Sequence, residues 1–249
     1  MKISIADSRE QFDDTAARRI VDQICHRPDS VIGLSTGRTT GNIHRRVCEI
    51  HSSLDFDVSR VTFFGLDEVT GVDREYAGAC YKMLLTEIIE GLGVKMENFL
   101  MLPTRSDDFD AACRDFVSAI DNRGGIDLLI LGLGENGHLG FNQPGSPFNG
   151  TACTSLMDSR LEERIRRETA TPDDVPLGGV TLGIRDIMHA RRIILVANGD
   201  NKSDIVREML CGPVTTDVPA SILQLHPDCE FILDSKAASR IDVKQLRNC

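Results

Sequence analysis

The 249 residues carry 28 Lys and Arg against 38 Asp and Glu, a formal net charge of −10. A surplus of that sign opposes a general nucleic-acid role, which needs a basic face to displace counterions from phosphates. With 41% hydrophobic and 27% charged residues, the chain has the composition of a globular protein and the length for one large domain spanning 1–249. The N-terminus MKISIADSREQFDD has no apolar run of signal-peptide length, and no stretch is long enough to cross a bilayer, so a cytoplasmic protein with no membrane role is expected.

In chain order, Phe12, Ala16, Ile20 and Ile24 recur at four-residue spacing and predict a first helix, with Ser8 and Gln11 forming a capping box at its start. SVIGLS (30–35) reads as a buried strand, and Ile43, Val47 and Ile50 mark the helix after it. RVTFFGL (60–66) is a second strand; helical patterns follow at 83–89 and 109–120. IDLLILGLG (126–134), RIILVAN (192–198) and CEFILD (229–234) complete the clearest strands, with helices around 159–169 and 202–210. Strands apolar on both faces, alternating with helices, predict an α/β fold: a Rossmann-like, mostly parallel sheet with helices on both faces. The eight cysteines are scattered without a CxxC pair, so reduced, mostly buried thiols are expected, Cys25 and Cys229 among them, with no metal site and no functional signal.

In open sheets of this kind ligands bind outside the carboxyl ends of the strands, and three such ends carry chemistry. The first is VIGLSTGRTTGN (31–42), where Gly37 permits close backbone approach, Ser35, Thr36 and Thr39 offer hydroxyls, and a helix N-terminus presents unpaired N–H groups. That is an anion site without the GK[ST] ending of a Walker loop. The second is FFGLDEVTGV (63–72), where Asp67 and Glu68 follow an apolar run. A carboxylate in apolar surroundings can titrate near neutrality and serve as a general base.

The third is LGLGENGHLGFNQPG (131–145), with Gly132, Gly134 and Gly137 at dinucleotide-fingerprint spacing. A fingerprint needs a helix opening at its third glycine, and Asn142-Gln143-Pro144-Gly145 leaves no room for one. The glycines instead read as devices that turn the chain so that His138 enters the crevice.

Together, STGRTT, the strand ending in LDE, and GLGENGHLGFNQPG resemble the amino-sugar-6-phosphate deaminase/isomerase family, closest to its galactosamine-6-phosphate branch. GVTLGIRDIMHARRIILVANGDNK (179–202) and PASILQLHP (219–227) extend the likeness over nearly the whole chain. The resemblance implies a cofactor-independent, metal-free enzyme that opens a 2-amino-2-deoxyhexose 6-phosphate, isomerises it to the 2-ketose and releases ammonia. It makes Asp67 the base that carries the proton from C2 to C1, and His138 the ring-opening acid/base. Ser35, Thr36, Gly37, Arg38, Thr39 and Lys202 would hold the phosphate, joined by one arginine of RLEERIRRE: Arg166, rather than Arg164 or Arg167. Gly134 and Gly137 would shape the substrate loop, and Glu68 would be structural.

The chain departs from the family at two positions. Glucosamine-6-phosphate deaminases usually carry an aspartate two residues before the histidine and a glutamate five residues after; here stand Asn136 and Gln143. Losing two carboxylates should lower the pKa of His138 and can change its tautomer. The galactosamine branch also has asparagine at the first position, which favours galactosamine 6-phosphate, giving tagatose 6-phosphate, over glucosamine 6-phosphate, giving fructose 6-phosphate. A 6-phosphogluconolactonase and a non-catalytic sugar-phosphate binder are the alternatives, and monomer and homo-oligomer are both compatible with the sequence.

Overall fold

The computed structural model describes residues 1–242. The terminal segment VKQLRNC, which offers no recognisable interface motif, and Cys249 within it lie outside the described residues. In chain order the elements are β1 (Lys2–Ala6), α1 (Arg9–His26), β2 (Val31–Leu34), α2 (Thr40–Leu54), β3 (Thr62–Gly65) and β4 (Asp67–Thr70). Then come α3 (Cys80–Leu84), which runs through a π turn (Leu85–Ile89) into α4 (Glu90–Leu92), β5 (Phe99–Leu100), α5 (Phe109–Asp121) and β6 (Leu128–Gly132). The last third holds β7 (Cys153–Ser155), α6 (Ser159–Thr169), β8 (Gly178–Thr181), α7 (Ile184–Met188), β9 (Ile193–Ala197), α8 (Ser203–Cys211) and β10 (Cys229–Asp234).

Seven strands form a parallel sheet in the order β1-β10-β9-β6-β2-β3-β5. Its strands read as unbroken apolar runs because each face meets a helical layer. Ile32, Leu34, Phe63, Leu128, Ile130, Ile194 and Ile232 pack with α1, α2 and the α3–α4 run. Alternate residues Val31, Phe64, Leu129, Leu131, Ile193, Leu195 and Phe231 pack with α5, α7 and α8. The predicted first helix starts as read: Ser8 accepts the Gln11 N–H at 3.1 Å. The Gln11 side chain reaches back to the Asp7 N–H, at 2.8 Å, instead of that of Ser8.

A second sheet was not legible in the sequence. β4, β8 and β7 form a small antiparallel sheet beside the carboxyl ends of the main one. Their segments DEVT, GGVT and CTS are three or four residues long and rich in glycine and polar side chains, too short for a two-residue period to register. Asp67 and Glu68 therefore do not lie in a loop after a strand that stops. The chain turns out of the parallel sheet at Leu66 and they begin a new strand.

Among the described cysteines Cys80, Cys113 and Cys229 are buried, Cys48 is half-buried, and Cys25, Cys153 and Cys211 are exposed, so the expectation of mostly buried thiols fails, at Cys25 in particular, while Cys229 is buried as expected. An amphipathic helix can carry a small apolar residue on its outer face, which position alone does not reveal. Among the described residues no helix is long and apolar enough to cross a membrane.

Gly33 in β2 sits where two large side chains close over the strand: a Cβ there would lie 2.4 Å from Leu129 Cδ1 and from Phe64 Cζ. Gly33→Ala is expected to overpack this face and lower unfolding free energy by about 1–3 kcal/mol. Urea denaturation with an unchanged m-value is the measurement; a neutral effect would mean that the sheet spreads freely at this point.

Candidate active site

From β2 the chain steps outward to β3 and β5; from β6 it steps the other way, through β9 and β10, with β1 at the far edge. The order reverses between β2 and β6, and the loops leaving their carboxyl ends diverge around a crevice. A hydroxyl holds the two strands together there: Ser35 donates to the Ile130 carbonyl and accepts the Gly132 N–H, both at 2.9 Å. Over this junction lies a cavity of about 850 Å³.

One wall is the turn before α2. Gly37 has φ of +137°, a conformation that a side chain would resist, and residues 35–40 line this side of the cavity. The N–H groups of Thr36, Gly37, Arg38 and Thr39 find no acceptor among the described residues. The hydroxyls behave otherwise than the sequence suggests. Thr36 donates to Cys80 Sγ at 3.2 Å and Thr39 to Asn198 Oδ1 at 2.8 Å, while that of Ser35 is committed to the sheet. The main chain, not the hydroxyls, is the free donor surface of this turn.

Positive charge surrounds it. Arg38, Arg160 and Lys202 line the cavity, and none forms an ion pair among the described residues. Burial lowers the pKa of Lys202, with the nearby Glu135 opposing. Glu135 itself accepts from Asn201 at 2.7 Å and contributes no contact to His138.

Arg166 is not part of the cavity. Its guanidinium holds the carbonyls of Pro172 and Val175, at 2.6 and 3.1 Å, and pairs with Glu162 at 2.7 Å. Arg164 and Arg167 are also absent from the lining. Arg160 is the arginine of this segment that reaches the site, because α6 enters over the cavity at its N-cap, Asp158, and points its first turn inward. Arg160 was missed from the sequence alone; the Asp158 cap, which accepts the Arg160 and Leu161 N–H groups, is the signal that could have placed the first turn.

The opposite wall carries the acid–base groups. Asp67 is 9% exposed, and burial pushes its carboxyl up to about 7, with the Glu68 charge adding and the Cys80 thiol opposing. A Cβ on Gly140 would lie 3.1 Å from Asp67 Oδ2, so the absence of a side chain there leaves that oxygen open. Glu68, fully buried, turns away and accepts N–H groups from Val69, Cys80 and Tyr81 at 2.7–2.8 Å. It caps the start of α3 and is structural.

His138 sits on a turn that the glycines make possible. Gly137 has φ of +83°, and a Cβ on Gly134 would fall 2.3 Å from His138 Nδ1. The glycine spacing thus seats an imidazole flat against the backbone; no helix opens at Gly137. Gly137 lies behind the cavity, against Val218, and does not line it.

Asn136 determines the tautomer. Its Oδ1 meets both the His138 backbone N–H, at 3.2 Å, and Nδ1, at 2.7 Å. A backbone N–H can only donate, so the atom it meets is oxygen, and Nδ1 must carry a hydrogen. The amide nitrogen of Asn136 donates in turn to Gln143 Oε1 at 3.1 Å. In neutral His138 the lone pair is therefore on Nε2. Burial, then Lys202, hold this imidazole below its ordinary pKa. Asp67, Asn136, His138 and Gln143, seventy-six positions apart at their extremes, line one cavity with the residue 35–39 turn and Lys202.

This geometry sets a basic turn of free N–H groups across one cavity from a carboxyl and an imidazole, with no metal-ligand cluster among the described residues. Comparison with known proteins shows the family. Residues 6–230 match the family model "Glucosamine-6-phosphate isomerases/6-phosphogluconolactonase". The glucosamine-6-phosphate deaminase of Clostridium botulinum (strain Loch Maree / Type A3) is 34% identical over 98% of this chain and all of its own length. That of Thermoanaerobacter pseudethanolicus is 32% identical over 99% of this chain and 98% of its own. A solved monomeric glucosamine-6-phosphate deaminase superposes with a TM-score of 0.90 at 30% identity, covering 97% of this chain and 100% of that one. The 6-phosphogluconolactonase of Trypanosoma brucei shares the fold, with a TM-score of 0.78 at 19% identity over 97% and 98% of the two chains. The chain belongs to the glucosamine-6-phosphate isomerase/6-phosphogluconolactonase family.

Asp67 and Glu68 should part company when each is made neutral. A carboxyl whose folded pKa is raised costs stability as pH climbs from its unfolded value toward its folded one, here from near 3.8 to about 7, and by a constant amount above that. Asp67→Asn removes this cost, so its Tm advantage over the parent should be larger at pH 8 than at pH 5. Glu68→Gln instead sets an amide against backbone donors and is expected to lose roughly 1–3 kcal/mol. Thermal melts of both variants at the two pH values provide the check.

Proposed function

We propose that the protein converts a 2-amino-2-deoxyhexose 6-phosphate to the 2-ketose 6-phosphate and ammonia, without a cofactor. Glucosamine 6-phosphate, giving fructose 6-phosphate, is the first substrate, because the similar proteins of matching length carry that activity in their names. The observation that carries the reaction type is the pairing of Asp67, buried and titrating about 7, with an imidazole whose free lone pair is on Nε2, across one cavity from an anion pocket.

The phosphate docks on the N–H groups of residues 36–39, with Arg38, Arg160 and Lys202 supplying charge. This remote binding energy holds the reacting carbons over Asp67. His138 Nε2 accepts the C1 hydroxyl proton and returns it to the ring oxygen, which opens the pyranose. Asp67 then takes the C2 proton to leave an enolamine and returns it at C1. The resulting C2 imine takes up water and releases ammonia. A carboxylate near pKa 7 suits the base role, since it is largely ionised just above neutrality and still basic enough to accept a carbon-bound proton.

A second substrate has its own support. The side chain that hydrogen-bonds the imidazole is the amide of Asn136, backed by Gln143, where a carboxylate pair would raise its pKa further, and asparagine at the first position is a feature that the galactosamine-6-phosphate branch shares. Galactosamine 6-phosphate, giving tagatose 6-phosphate, is therefore assayed beside it.

The deciding experiment incubates the protein with each hexosamine phosphate and with 6-phosphogluconolactone, measuring ammonia, ketose phosphate and acid release. Ammonia in step with ketose phosphate is the expected outcome; lactone opening without ammonia would assign the chain to the hydrolytic branch of its family. Asp67→Asn should lower kcat by about 10²–10⁴. The parent's kcat/KM should fall as pH drops below about 7, where the base becomes protonated. Restoring acids, as in Asn136→Asp, should raise the pKa of His138, read from its imidazole carbon shifts by NMR.

A further inference from the structure

Cys80 carries chemistry that a scattered cysteine does not announce. It is the first residue of α3, buried, with its thiol between the phosphate turn and the base. Thr36 Oγ1 donates to Sγ at 3.2 Å, and Sγ in turn donates to Asp67 Oδ1 at 3.7 Å, both ordinary lengths for hydrogen bonds to and from sulfur. Among the described residues no other side chain hydrogen-bonds to both of these groups. The backbone is tied as well, since the Cys80 N–H donates to Glu68 Oε1 at 2.7 Å. The main chain of Cys80 is therefore anchored next to Asp67, and the two side-chain bonds fix Sγ against its carboxyl.

We propose that Cys80 is a positioning residue: its S–H holds Asp67 Oδ1, aims Oδ2 along Gly140 into the cavity as the proton-carrying oxygen, and links that oxygen mechanically to the turn that takes the phosphate. This proposal rests on the isomerase reading. Burial and the Asp67 and Glu68 charges keep the thiol protonated, so the sulfur remains a donor and is no nucleophile in this site. The charged and hydrogen-bonding groups that act on Asp67 are Glu68 of its own strand and Cys80 of α3. Thr181 of β8 pairs with it across the small sheet, and the facing loop sets Gly140 against it and His138 in the same cavity. Removing the S–H thus takes away the one side-chain donor that favours the ionised base. Because Thr36 both lines the cavity and donates to Sγ, a phosphate on the turn tightens the same chain of contacts that orients the base.

The test compares the parent with Cys80→Ala, Cys80→Ser and Thr36→Val, all as full-length protein checked by thermal melt. Cys80→Ala is expected to move the acidic limb of kcat/KM up by about 0.5–1 pH unit. That shift gives a loss of about threefold at pH 7 that disappears at pH 9, with KM at pH 9 unchanged. Cys80→Ser keeps a donor and should hold the limb within about 0.3 unit of the parent. Thr36→Val, which leaves the thiol but removes its own donor, should shift the limb the same way by less, and serves if Cys80→Ala does not fold. A pH-independent loss with an unmoved limb would overturn the proposal. Titration of the Asp67 carboxyl carbon by NMR in the ligand-free protein reads the same shift without turnover. A parent that releases no ammonia therefore counts against the isomerase reading alone, and an Asp67 titration identical in parent and Cys80→Ala counts against Cys80 alone.

Discussion

Leu66 hydrogen-bonds into two sheets at once: its N–H donates to the Leu34 carbonyl of the parallel sheet at 2.9 Å, and its own carbonyl accepts from Leu182 at 3.0 Å. The next residue is Asp67. A chain that left the sheet by an ordinary loop would carry that carboxyl into water, where it would titrate with its exposed peers. By passing directly into β4, the backbone keeps its own polar groups paired and carries an ionisable side chain into apolar surroundings. The raised pKa of Asp67 follows from this transfer, and so does the need for Glu68 to be fully satisfied beside it by three N–H groups.

The electrostatics of the cavity run against those of the whole molecule. The chain is acidic, with a formal charge of −10, yet its cavity gathers Arg38, Arg160, Lys202 and a turn of unpaired N–H groups. Acidic side chains nearby are either buried and raised, as Asp67 is, or committed elsewhere, as Glu135 is to Asn201. A small anion is thus favoured in the cavity while a polyanion is repelled from the surface around it. The neutral relay Gln143–Asn136–His138 continues the pattern: it orients an imidazole by amide dipoles without adding negative charge near the 35–39 turn.

Much of the fold was readable from local pattern. The apolar runs of β2, β3, β6, β9 and β10, the helical periods between them and the turn at STGRTT all survive in the structure, since each is announced by a pattern within a few residues. The candidate site was readable where a motif sits at the end of such a run: Asp67, His138 and the 35–39 turn line the cavity. Arg166 failed for a geometric reason. Six positions along a helix from Arg160 is about one and two-thirds turns, which rotates a side chain away and raises it by about 9 Å, enough to leave the cavity for the 172–175 carbonyls.

The sequence by itself determined the class of fold, the strand ends that carry polar residues, and the need for a sharp turn before His138. Periodicity and glycine spacing are local properties that a single chain displays openly. Tertiary structure alone decided that β4, β7 and β8 pair, that the hydroxyls of Ser35, Thr36 and Thr39 are taken up by Ile130, Cys80 and Asn198, and that a cysteine lies against Asp67. Each of those depends on contacts between residues distant in the chain, and such contacts leave no trace in the order of the amino acids until the chain has closed around them.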